Sequence, residues 1–168
     1  MKISYLLICF GAALSMDIAH ADQASSKVAS QGETLVAATT NKFKVQVKIK
    51  THEMQIGKPS DGRPIMIESN CTYSKYPCSI VDRLDISVNG TSLFVPRSAF
   101  CDLADLNKAE IKVDEKGLSL RLYGGGASES YVVKIEFNAA EVKRRTLSST
   151  VLPDQPTQET IYHVVTLG

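Results

Sequence analysis

Few side chains in this sequence could do chemistry at close range, and the cysteines are the most informative of them. The sequence holds four, Cys9, Cys71, Cys78 and Cys101. Cys71 and Cys78 flank Thr72-Tyr73-Ser74-Lys75-Tyr76-Pro77, a turn-forming stretch that lets the chain double back and bring the two sulfurs together. A disulfide is expected there, and the short loop makes its stabilisation local and modest. The alternative is that Cys71, Cys78 and Cys101 are all reduced and buried as small apolar residues. Cys101 stands between Phe100 and Asp102 and reads as a spare, half-buried thiol. A cysteine nucleophile needs an electropositive setting, and this stretch is acidic.

The other reactive groups point away from catalysis. His52 and His163 lie far apart in sequence, with no HExxH and no CxxC nearby, so neither a metal centre nor a catalytic histidine is expected. No GxSxG elbow is present for a serine nucleophile. Gly124-Gly125-Gly126 does not precede a Lys-Ser/Thr pair at a helix start, so it reads as a wide turn or bulge and not a phosphate cradle. Asp82, Asp85, Asp102, Asp105, Asp114 and Glu115 are scattered over separate turns and read as solvated surface. Lys143-Arg144-Arg145 reads as a charged strand edge. Alternation puts Arg144 on the side of Val142 and Thr146, where Glu136 or Glu159 could pair with it.

Tyr73, Tyr76 and Pro77 are a different kind of feature. Two aromatics on a loop closed by a disulfide are preorganised for contact with another protein, because tyrosine carries large contact area and a stapled loop loses little entropy on docking.

The elements that would position these groups are mostly strands. Residues 1–21 have one basic residue, a short apolar core from Ile3 to Met16 and a small-x-small site at Ala19-His20-Ala21, the three parts of a cleavable secretory signal. Cys9 sits inside the apolar core, without the small residues that precede a lipidated cysteine. Cleavage removes Lys2 and Asp17, so the formal charge of +1, from 19 basic and 18 acidic residues, is unchanged at 18 against 17. A near-neutral chain has no long-range attraction to nucleic acid or to anionic membranes. Residues 22–41 are rich in Gln, Ser, Ala and Thr and are expected to form a flexible leader.

From residue 42 to 168 one β-rich domain is expected. Phe43, Val45, Val47 and Ile49 alternate with polar residues, as do Leu84, Ile86 and Val88, then Leu118, Leu120 and Leu122, then Tyr131, Val133, Ile135 and Phe137. Ile65–Glu68, Val142–Leu147 and Ile161–Leu167 supply further strands. Asn89-Gly90 and Asp114–Gly117 mark hairpins. Phe100, Leu103 and Leu106 recur at three-residue spacing, which predicts one short helix near 98–107 with Ser98 as its N-cap. The expected fold is all-β, an antiparallel sandwich or partly closed barrel of eight or nine short strands.

Two function classes fit these features. The first is a non-enzymatic protein-binding domain of the bacterial periplasm, an inhibitor, immunity protein or accessory subunit, whose partner is another envelope or secreted protein. The second is a carrier of a small apolar ligand within the sandwich, although Phe43, Phe94, Phe100 and Phe137 with the aliphatic residues would fill its interior. An unrecognised enzyme ranks third. No cofactor, metal, nucleic acid or membrane insertion after processing is expected.

Overall fold

The computed structural model describes residues 23–62, 71–114 and 117–163. The expected signal peptide, the Ile65–Glu68 strand and the end of the Ile161–Leu167 strand lie outside the described residues.

Among the described residues ten antiparallel strands form two sheets packed face to face. They are β1 (Gln23–Lys27), β2 (Gly32–Thr39), β3 (Lys44–Met54), β4 (Cys78–Val88), β5 (Thr91–Ser92), β6 (Lys108–Asp114), β7 (Gly117–Gly124), β8 (Tyr131–Phe137), β9 (Val142–Ser149) and β10 (Gln158–Ile161). One sheet runs β1-β6-β7-β8-β9-β10 and the other β2-β3-β4-β5. The all-β sandwich read from the alternation is the fold observed. Its core is the inward row of each strand: Val45, Val47 and Ile49 of β3, Leu84, Ile86 and Val88 of β4, Ile111 of β6, Leu120 and Leu122 of β7, and Val133 and Ile135 of β8, all buried. Each such side chain contributes about 1.5–3 kcal/mol by leaving water.

The Asn89-Gly90 hairpin is present, with φ of 53° and 84° at its two central residues, the left-handed values a type I′ turn demands. Asn89 is also fastened sideways: its Oδ1 accepts the Lys44 N–H at 2.8 Å and its own N–H donates to the Lys44 carbonyl at 2.8 Å.

Three expectations are corrected. Residues 23–39, read as leader, supply β1 and β2. An edge strand needs only a backbone ladder and one row of small inward side chains, and Thr34, Val36 and Ala38 are that row; a scarcity of large apolar residues is therefore no bar to order. The short helix near 98–107 is a single 3₁₀ turn, Arg97–Ala99, followed by irregular chain, and Pro96 rather than Ser98 occupies its N-cap. Phe100, Leu103 and Leu106 are buried as their spacing implied, but the backbone makes only short turn bonds between Pro96 and Leu103 and then hydrogen-bonds to β4. The Val81 N–H donates to the Leu103 carbonyl at 3.1 Å and the Asp105 N–H to the Ser79 carbonyl at 2.6 Å. Residues 96–107 thus form a strap closing one side of the sandwich. Phe94, counted as core, is 82% exposed.

Candidate functional site

The loop between Cys71 and β4 sits at the end of the sandwich where β3 finishes and β4, β6 and β8 begin. Cys71 and Cys78 are disulfide-bonded, with Cα atoms 5.7 Å apart. The peptide bond between Tyr76 and Pro77 is cis. Within the loop the Lys75 N–H donates to the Thr72 carbonyl at 3.0 Å, so residues 72–75 make a tight turn.

A buried carboxylate organises both flanks of this loop. Asp105, with no exposed surface, accepts the Thr72 N–H at 2.8 Å on one oxygen and the Ser79 N–H at 3.0 Å on the other. Lys75 Nζ lies 3.3 Å from the same group, which gives the buried charge a cationic neighbour. Asp105 reaches this position because its backbone is left-handed, φ 51°, a conformation that Asp and Asn adopt more readily than other side chains. Asp105 is thus buried and not part of the solvated surface expected for it.

The glycine run supports the loop from beneath. Gly124 lets the Tyr131 ring lie against its backbone; a Cβ there would stand 2.4 Å from the ring. The buried Tyr131 hydroxyl donates to the Ala104 carbonyl at 2.5 Å and accepts the Ala104 N–H at 3.0 Å, fixing the residue before Asp105. Burial pushes the phenol well above its ordinary pKa. Gly125 has φ 72°, and a Cβ on it would meet the Glu129 carbonyl oxygen at 2.2 Å, so the chain turns there into the 3₁₀ turn Ala127–Glu129. That turn aims Glu129 at the loop, where its carboxylate accepts the Tyr73 N–H at 2.9 Å. The wide-turn reading of the glycines therefore holds, and its purpose is to seat Tyr131 and Glu129.

On this base Tyr73 and Tyr76 are each 42% exposed, and Pro77 is half-buried. Beside the loop opens a cleft of about 720 Å³, lined in part by Lys27, Glu53, Lys75 and Asn107. The far wall of the cleft is the β1–β2 crossover. It is held by Ser79 Oγ donating to the Ser30 carbonyl at 2.6 Å and Thr51 Oγ1 to the Ala29 carbonyl at 2.8 Å.

The remaining groups singled out from sequence are dispersed. His52 lies on the outer face of the smaller sheet, its Nδ1 2.6 Å from Asp82. Asp82 is the extra residue of a bulge, since Lys50 opposes Arg83 and Thr51 opposes Val81. Cys101 is a free, exposed thiol on the strap, more open than the half-buried reading. Among the described residues no three of His, Cys, Asp and Glu converge closely enough to hold a metal ion.

The basic cluster departs from its expected pattern. An extra residue on β9, Lys143, stands between the Phe137–Val142 and Glu136–Arg144 pairs, so the alternation shifts and Arg145 turns inward with Val142. Arg145, 2% exposed, donates to both oxygens of Asp102 at 2.8 and 2.7 Å, to the Ala99 carbonyl at 3.2 Å and to Gln158 at 2.8 Å. Asp102, also read as free surface, is thereby engaged. Arg144 is half-exposed and pairs with Glu159 at 2.7 Å and Glu136 at 3.6 Å, the two partners expected for it.

No family model, curated protein or solved structure matches the chain. Among the described residues no helix is long and apolar enough to cross a membrane.

Proposed function

We propose that this chain is an exported, non-enzymatic protein-binding domain of the bacterial periplasm, an inhibitor, immunity protein or accessory subunit, that docks on an envelope or secreted protein through Tyr73, Tyr76 and Pro77. The observation that carries this reading is the immobilisation of the loop. The disulfide closes it, and Asp105 and Glu129 hold its backbone N–H groups, while the two tyrosine rings stay partly in water. Aromatic side chains left half-exposed on a fixed backbone lose little further entropy when a partner covers them, and such residues commonly dominate binding energy. A disulfide also fits an oxidising compartment. The neighbouring cleft, walled by Lys27, Glu53 and Lys75, offers mixed charge for a polar rim.

The test is affinity capture from envelope extract by the purified protein and by a Tyr73→Ala/Tyr76→Ala variant, with the captured partner then titrated against both. Each truncated tyrosine at a binding centre costs about 2 kcal/mol, so the variant should bind roughly a thousandfold more weakly. Equal binding by the two proteins, or no partner at all, would refute the assignment.

A further inference from the structure

The sandwich has open sheet edges, and all but one are blunted. β1 is five residues long, polar, and ends in Lys27. β10 is four residues long and carries Glu159, which is paired with Arg144. The outer side of β4 is partly covered, by β5 at one end and by the strap at Leu103 and Asp105 at the other. These are the usual protections against edge-to-edge pairing. β2 is the least protected edge. Its one charge, Glu33, pairs with Lys48 at 3.3 Å, but it runs eight residues in unbroken register, from Gly32 opposite Thr51 to Thr39 opposite Lys44, without proline, bulge or a covering element among the described residues.

The direction of its backbone groups follows from the hairpin that ends it. The Thr40 N–H donates to the Phe43 carbonyl at 2.8 Å, so Ala38, Val36 and Thr34 also face β3, because hydrogen-bonded pairs recur at every second residue. Glu33, Leu35, Ala37 and Thr39 therefore aim their N–H and C=O groups away from the sheet, and no other described strand pairs with them. All four are exposed, Leu35 at 53%.

From this edge we infer that the protein forms a two-fold dimer in which β2 pairs antiparallel with β2 of a second copy, joining the two four-stranded sheets. The strand is self-complementary. With Val36 on the two-fold axis, Glu33 faces Thr39 of the other copy and Leu35 faces its Ala37. Every outward backbone group then finds a partner, and each Leu35 packs beside an alanine instead of standing in water. Charge complementarity singles out a second copy as the occupant. Thr39 is flanked in its own sheet by Lys44, which is exposed and in no ion pair among the described residues. The pairing therefore carries Glu33 of one copy, which lies 3.3 Å from Lys48 of its own sheet, toward Lys44 of the other as a second cation at both ends of the seam. One such edge per copy makes the assembly close at two. The edge does not include Tyr73 or Tyr76, so dimer formation and partner capture stand or fall separately.

Sedimentation velocity of the purified protein tests this, in a Cys101→Ser background so that a disulfide-linked pair cannot mimic the result. A dimer is expected at about 100 µM that dissociates on dilution, with dissociation at least about tenfold easier in Ala37→Pro and in Leu35→Lys. Proline at position 37 removes an outward N–H and leaves the β3 ladder intact; Leu35→Lys changes only an exposed side chain, so it reports even if the proline variant misfolds. Amide exchange supplies an independent readout, in which Leu35 and Ala37 gain protection on concentration while Val36 is protected throughout. A monomer at every concentration, a dimer indifferent to both substitutions, or a strand of another protein found on β2 in place of the second copy would overturn the inference.

Discussion

At the scale of single residues, the buried polar groups are the ones that decide how the cystine loop is presented. Asp105 and Tyr131 do adjacent jobs, the carboxylate holding the loop and the phenol holding Ala104. Neither was legible as a site. Asp105 stands in an ordinary acidic stretch, and Tyr131 was recognisable only as one apolar position in an alternating strand, because hydrogen bonds across 27 or 33 positions of sequence leave no local signal. A pH measurement isolates Tyr131. Its ordinary pKa is 10.0, and burial raises it in the folded protein. Between those two values the unfolded chain has lost the phenolic proton that the folded chain still holds, so stability falls as pH rises above 10, by at most about 1.4 kcal/mol per pH unit, and is unaffected below it. Tyr131→Phe should cost about 2 kcal/mol at neutral pH by leaving Ala104 without its partner, and should remove this alkaline slope. Urea midpoints at pH 7, 10 and 11 decide the matter; parallel pH dependences in the two proteins would count against it.

Individual elements were legible where their residues contact only the nearest strands. The alternation in β3, β7 and β8 and the Asn89-Gly90 turn follow from local sterics, and those elements were placed correctly. The strap at 96–107 was misread as a helix because three-residue apolar spacing also describes an irregular segment whose side chains all face one wall. Arg145 was placed on the wrong face because a bulge cannot be seen in a composition pattern. These last two features belong together, since Arg145 fastens the strap to β9 through Ala99 and Asp102. Arg145→Ala should cost about 3 kcal/mol, by stripping a buried ionic network of its cation. It should also speed amide exchange at Asp105, which donates to Ser79, before any change appears in β3. Arg145→Lys keeps the charge without the planar fork and should recover part of the loss. A loss below about 1 kcal/mol, or faster exchange everywhere at once, would show that Arg145 does not anchor the strap.

For the whole molecule, the largest revision concerns where order begins. If residues 22–41 were a leader, a chain starting at Asn41 would unfold as the longer protein does. With β1 pairing β6 and β2 pairing β3, that chain would instead bare the inward face of β3 along a new edge and uncover Ala109 and Ile111. It should lose its cooperative thermal transition, whereas a chain starting at Asp22 should keep it; equal melting of the two would restore the leader. The sequence by itself determined the class of fold, the cystine pair and most strand faces, because alternation, turn residues and cysteine spacing act between near neighbours. Only the tertiary structure decided that weakly apolar residues 23–39 belong to the sheets, that Asp105 holds both flanks of the cystine loop, and that β2 is the least protected edge. Each of these depends on which distant backbone supplies a hydrogen-bond partner, and that is settled when the two sheets close on each other.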